Sequence, residues 1–452
     1  MDKKKWIIAG GVVSVIILGA IAFGFVKEFV IKKDPINHLF YSMMKTDYSA
    51  IEGHYDSQIR VNPEVLSDNL LLFASNPDAM AEFITAVLDE LHISGKMVNI
   101  FDFEKNDWHY QQSMSINYAE GVLLALDMVA DERGLVVNSP MISDKSMVLS
   151  KDAFFNLMKN ETGKDFSQVD FNKYFKTLNF EKDPLFKTFL KDYKGYEEIL
   201  RERLSMLEKG PALTVTLSDG ETVNCDTLIL EMRYAEIIDL YNALLTEAKY
   251  DLELKAFVKG KILENMTLFL NSEDYKLLDL EEAEVVSTIE SIEADFDETW
   301  EMAIQEMLEV YSQVQDMEMQ YRMTFAIDSK YRLRQIQTAS EIMGIVAEQT
   351  MTYDNFRAKS SENGALNDIS AHYDIAKMIE DEIYAQETAS ELISGGLDHI
   401  LGSEAVTNMM NDISQKSDLL PPNEAQTVKD GIKYFFDNRD AWKDSLMEGL
   451  EL

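Results

Sequence analysis

The chain starts Met1-Asp2-Lys3-Lys4-Lys5 and then runs without a single charge from Trp6 to Val26. A helix of that length, at ~1.5 Å rise per residue, spans ~30 Å, which is the thickness of a bilayer's hydrocarbon core. The lysines precede the run. The positive-inside rule therefore predicts a cytoplasmic tail over 1–5, a transmembrane helix over 6–26 and the remaining bulk outside the cell. A cleaved leader is the alternative, since Ala20-Ile21-Ala22 fits a small-x-small cleavage site, although the apolar run continues through Phe23, Phe25 and Val26. No second apolar stretch of about 18 residues follows, and no cysteine lies near the run to carry a lipid. The expectation is a single-pass cell-membrane protein with one large extracytoplasmic part.

That part is long enough for two or three domains. Hydrophobic residues make up 46% of the sequence and aromatics 10%, so a core can form despite the charge. The net charge of −38 repels phosphate backbones and anionic lipid head groups, which argues against a nucleic-acid partner and leaves cations or basic partners open. The one cysteine, Cys225, precludes an intramolecular disulfide, a usage that fits a bacterial envelope better than an animal ectodomain. Val223, Cys225, Thr227 and Ile229 alternate as on a strand, and no histidine or basic cluster adjoins them, so Cys225 reads as a small core residue.

Asp34-Pro35, Asn62-Pro63, Asn76-Pro77 and Asp183-Pro184 each place a capping side chain before a proline suited to a helix's first turn. The first predicts a helix from Pro35 to Lys45. The third opens a helix whose apolar face carries Met80, Phe83, Ile84, Val87, Leu88 and Leu91. From Ile93 to Ser150 the period falls to two, predicting an antiparallel meander over 96–103, 108–118, 122–130 and 135–138. Helices are expected over 151–159, 169–178 and 184–209. Asp219-Gly220 then joins strands 212–217 and 222–232 as a hairpin. Helices follow over 234–248 and 280–315, then strands 320–327 and 332–337. The rest, from about Leu366, is helical and ends in an amphipathic helix after Pro421-Pro422 that carries Val428, Ile432, Phe435 and Trp442. Strand groups alternating with helix groups predict an α+β fold, with one unit over 34–210, a second over 211–350 and a helical region over 366–452.

Between Leu277 and Tyr321 stand fourteen acidic residues and no Lys, Arg or His. Apolar residues from Val285 through Phe296 and Trp300 to Val314 recur every three or four positions, one stripe on an otherwise acidic helix. Glu293, Asp295 and Asp297 alternate but lack the glycine and closing glutamate of a calcium loop, so the acids read as a solvated face, with Arg322, Arg332 and Arg334 as internal partners. Among the histidines, His38, His54, His92, His109, His372 and His399, no pair has zinc-ligand spacing. There is no nucleophile elbow or phosphate-cradling glycine loop, and Ser146 with Lys151 reproduces no catalytic spacing. The sequence thus offers no catalytic, cofactor-binding or metal-ligating set, and a non-enzymatic role is expected. The 24 methionines, Met43-Met44, Met317, Met319, Met323 and Met409-Met410 among them, suit core filling or an adaptable hydrophobic pocket.

The lysine-flanked anchor, the Asp-Pro helix beyond it, the meander ending in Lys145-Ser146-Met147-Val148-Leu149-Ser150, and Gly220-Glu221-Thr222-Val223-Asn224-Cys225-Asp226 leading into a strand and helix together resemble uncharacterised membrane-anchored extracytoplasmic proteins of Gram-positive bacteria. The alternation is also similar to lipoprotein-carrier-like envelope proteins, in which a half-barrel sheet wraps helices. The resemblance implies curved half-barrel units and a binding or scaffolding role in the envelope, with an envelope protein or a hydrophobic, lipid-like ligand as partner. The absent lipid-bearing cysteine departs from the lipoprotein members. An envelope hydrolase is the remaining class, and it requires a cleft where a carboxylate pair or a Ser/His constellation converges.

Overall fold

The computed structural model describes residues 34–71, 74–102, 107–170, 172–177, 194–312, 319–342, 345–356, 372–438 and 441. The expected tail (1–5) and membrane span (6–26) lie outside the described residues. Among the described residues, no helix is long and apolar enough to cross a membrane.

The fold is α+β, built on one large sheet. Six strands form an antiparallel meander: β1 (Ala50–Val61), β2 (Leu91–Asp102), β3 (Asp107–Tyr118), β4 (Gly121–Asp131), β5 (Gly134–Asn138) and β6 (Ser146–Ser150). Five form a second: β7 (Glu208–Thr216), β8 (Thr222–Arg233), β9 (Met319–Asp328), β10 (Leu333–Ile342) and β11 (Ile345–Asn355). The meanders are joined where β1 pairs antiparallel with β11 from Glu52 to Val61. A short β12 (His372–Asp374) adds parallel to β6, giving the order β12-β6-β5-β4-β3-β2-β1-β11-β10-β9-β8-β7. Strands of both expected units therefore share hydrogen bonds in a single sheet.

Local chemistry sets the helix starts. Asp34 accepts from the backbone N–H groups of Ile36 and Asn37 to cap α1 (Pro35–Lys45); Asn62 and Asn76 likewise cap α2 (Pro63–Leu70) and α3 (Pro77–Leu88). Leu91, expected on the last of these helices, opens β2 instead. After β6 come α4 (Lys151–Thr162), α5 (Asn172–Thr177) and α6 (Lys194–Arg203). The helix expected over 184–209 is described only as α6; 184–193 lie outside the described residues, and Glu208 to Gly210 belong to β7. An edge strand tolerates Pro211 because the missing N–H has no ladder partner there. The register shifts at this point, between Gly210 and Leu213, and the Pro211 carbonyl accepts from the Thr227 hydroxyl at 2.7 Å.

Three helices separate β8 from β9: α7 (Tyr234–Tyr250), α8 (Leu252–Asn271) and the acidic α9 (Glu282–Ser312). Asp251 ends α7 and caps α8 by accepting from the Glu253 and Leu254 N–H groups. Leu228, Leu230 and Met232 of β8, with Ile327 and Leu333, form the main core against α1 and α6 to α9. Within it Phe257, Leu254 and Ile304 are fully buried, and the Trp300 indole N–H donates to the Ala248 carbonyl at 3.0 Å. The opposite face of β7 to β9 holds a smaller cluster of Val215, Leu217, Cys225 and Ala326.

The C-terminal helices α10 (Ile375–Glu380), α11 (Glu382–Gly402), α12 (Glu404–Lys416) and α13 (Pro422–Asp437) return to the first meander; Trp442 lies outside the described residues. Tyr118 of β3 donates to Asp412 at 2.6 Å, Lys416 pairs with the same carboxylate, and His399 contacts the Leu123 carbonyl at 3.0 Å.

Candidate functional site

Alternation in the first meander sorts its side chains. On β4, Leu124, Leu126, Met128 and Ala130 share one face, and register aligns Met128 with Val137, Ala130 with Leu135, then Val137 with Met147 and Leu135 with Leu149. This face of β4 to β6 is apolar, yet every one of those residues is only half-buried. Two cavities open on it.

One, of about 410 Å³, lies between Leu126, Val137 and Met147 and the α11 residues Leu392, Ile393 and Leu397, with Ile142 at its side and Ser139, Ser143 and Lys145 at its rim. Gly395 allows α11 to come this close, because a Cβ there would meet the Ile142 carbonyl oxygen at 2.0 Å. Lys145 Nζ pairs with Glu391 of α11 at 2.8 Å and lies 4.8 Å from the Tyr373 ring centre.

The second cavity, of about 630 Å³, lies further along the same strands, floored by Ala130, Leu135 and Leu149 and walled by Trp108, Phe154 and Phe155. Buried Asp131 and, around it, Glu132, Lys151 and Asp170 also line it. Burial alone would raise the Asp131 carboxyl, but hydrogen bonds from Arg133 bring it below its ordinary range. Both volumes fall in the range of about 300–1,000 Å³ typical of ligand pockets.

A Ser/His/Asp group also converges, from positions far apart in the chain that no motif links. Ser218 in the β7–β8 turn donates its hydroxyl to Asp354 Oδ2 at 2.6 Å and its N–H to Oδ1 at 2.9 Å; His54 Nδ1 lies 2.9 Å from both Ser218 Oγ and Asp354 Oδ2. Asp354 is the extra residue at the register shift in the seam, where Glu52 pairs with Asn355 and Gly53 with Tyr353, and such bulges re-aim side chains. A nucleophile–base relay places serine and carboxylate on opposite ring nitrogens. Here both meet the same nitrogen and the serine proton is held by the carboxylate, an arrangement that clasps the turn to the seam.

The other residues singled out by sequence are dispersed. Cys225 is buried and its thiol is pushed up to about 11, first by burial and then by the nearby Asp328. Glu293, Asp295 and Asp297 lie exposed on α9, and among the described residues no group of three or more His, Cys, Asp or Glu side chains is arranged to hold a metal. The expected arginine partners of that helix are engaged elsewhere. Arg322 pairs with Glu231, while Arg332 and Arg334 both bind the buried Asp328, 2.8 and 3.0 Å away. Lysines serve α9 instead: Lys255 pairs with Glu301, and Lys259 donates to the Glu293 carbonyl at 2.7 Å. Buried His38 and His109 lie on separate elements from His54. Of the methionines, Met232 is buried in the main core with Met307 and Met323 packed against it, and Met147 lines a cavity; Met317 lies outside the described residues.

Compared with sequence models of protein families and with curated protein sequences, the chain matches none.

Proposed function

We propose that this chain is a non-enzymatic, membrane-tethered extracytoplasmic protein of the bacterial envelope that binds a hydrophobic, lipid-like ligand. In this reading the long sheet curves round its helices as joined half-barrels, and the open apolar face of β4 to β6 is the ligand site. The observation that carries it is the pair of cavities on one face of consecutive strands, with floors of Leu, Val, Met and Ala. Such sites need few polar residues, which accords with the lack of a chemical motif. Tethering brings the site near its source of ligand. Eight residues, 27 to 34, separate Val26 from α1 and reach at most about 28 Å. Arg201 of α6 then holds the start of α1 through Asp34 and Asn37, at 2.5 and 2.9 Å.

A photoreactive fatty acid, irradiated with the full chain in membrane vesicles and mapped by peptide mass spectrometry, tests this. Labelling of peptides carrying Met147, Phe154 or Leu392 is expected. Labelling confined to residues 6–26 would contradict it.

A further inference from the structure

Neither cavity includes Met128 in its lining, yet Met128 stands on their shared face between Leu126, which lines one, and Ala130, which lines the other. On β5 and β6 the two linings are in direct succession, Val137 next to Leu135 and Met147 next to Leu149 along one face. Side chains two apart on a strand are separated by about 6.6 Å, so the floors abut, and on β4 the span from Leu126 to Ala130 is about 13 Å. Among the described residues, the side chain of this face of β4 that stands between the two floors is that of Met128, unbranched and flexible.

The polar linings differ in charge. The smaller cavity has Lys145 and two serine hydroxyls, whereas the larger has Asp131, Glu132 and Asp170 against Lys151. Lys145 and Glu391 are both partly exposed, at 34% and 51%, so their ion pair is of the solvated kind that contributes little, and Lys145 is a local cation on a chain whose net charge is negative.

Building on the lipid-like reading above, we infer that the two cavities are one tunnel and that its ligand is a single-chain anionic amphiphile. The head group lies at Lys145 and the chain passes Met128, ending beside Phe154 and Phe155. An extended chain of carbon–carbon bonds of about 1.5 Å advances about 1.3 Å per bond, so the 13 Å span on β4 takes about ten carbons and the way from Lys145 to α4 takes more. A compact ring system does not fit past Met128, and a short chain does not reach α4.

The test uses ω-diazirine fatty acids of 10 and 16 carbons with the full chain in vesicles, comparing wild type, Met128→Trp and Met128→Ala. The 16-carbon probe is expected to label the peptide carrying Phe154 and Phe155, and the 10-carbon probe the peptides carrying Met128 or Met147. Met128→Trp should cut the long-probe labelling of α4 at least tenfold while the short probe still labels the peptide carrying Met147, which also reports that the fold is intact. Met128→Ala should leave long-probe labelling in place. Cavity labelling indifferent to chain length or to Met128→Trp overturns the tunnel while leaving the lipid-like reading standing. No labelling of either cavity by any probe overturns both.

Discussion

The two meanders of the sheet are built alike but packed differently. Against the β8–β11 half lie α1 and α6 to α9, and the contact is dry: Leu228, Leu254, Phe257 and Ile304 have no measurable exposure. Against β4 to β6 lie α4, α10 and α12, with α11 across the smaller cavity, and Leu124, Leu126, Met128 and Ala130 remain half-buried. Close packing is what makes a core stable, and each unfilled volume forfeits contacts. One half therefore carries the stability of the molecule, and the other spends some of it on space.

The largest expected effect lies in the packed half. Phe257→Ala should cost roughly 3–5 kcal/mol in urea unfolding, as for other fully buried aromatics. A loss below 1 kcal/mol would mean that this half is no better packed than the other.

Asp328→Ala should be nearly as damaging, since it leaves Arg334, which is 7% exposed, without its carboxylate at a cost on the order of 3 kcal/mol. Burial raises the Asp328 carboxyl, but backbone and side-chain hydrogen bonds from Arg332 and Arg334 outweigh it and hold it below its ordinary value. A lowered folded-state value means that its contribution is complete above the unfolded value of about 3.9 and is lost as the pH falls below that. The difference in melting temperature between wild type and Asp328→Ala should therefore be constant from pH 7 to 5 and shrink below pH 4. A difference that grew on acidification would contradict the assignment.

Gly395→Ala and Gly396→Ala sharpen the comparison at the open half. A Cβ at Gly395 would meet the Ile142 carbonyl at 2.0 Å, while one at Gly396 meets nothing nearer than 3.9 Å. The first should cost about 1–3 kcal/mol as α11 is pushed off the sheet. The second should be neutral or stabilise by up to about 1 kcal/mol, because alanine restricts the unfolded chain and suits a helix. Equal effects in thermal melts would show that α11 does not seat as described.

Leu126→Ala should also fall well short of the packed half. Its side chain is half-buried beside an existing cavity, so its truncation should cost less than the roughly 2–5 kcal/mol typical of closed cores. A loss in that range would place Leu126 in a closed core.

Much of this contrast was legible in the chain. The Asp-Pro and Asn-Pro caps, the alternation of β3 and β4, the Asp219-Gly220 turn and the Val285–Trp300 stripe are local signals, and local physics decides them. The strands of the seam were not legible. β1 and β11 each place polar residues on one face (Glu52, His54, Asp56, Gln58; Glu348, Thr350, Thr352), but Gly53, Ser57 and Gln349 interrupt the apolar side between Ile51, Tyr55 and Ile59 and between Ala347 and Met351, so the period-two signal is broken. Central strands bonded on both sides owe their place to paired backbone groups as well as to apolar burial. The candidate site was hidden for another reason: its walls come from β4 and from α11, more than 250 residues later. Gly395-Gly396 inside a helical segment was the one local hint of a close approach.

Hydrogen exchange of the full chain in vesicles, with and without palmitate, tests the central claim most directly, because it reads both halves at once. Amides of α4, α11 and β4 to β6 should exchange more slowly with the ligand present, while those of α7, α8 and α9 should be unchanged. Protection that is uniform, or confined to α7 to α9, would contradict a ligand site in the open half.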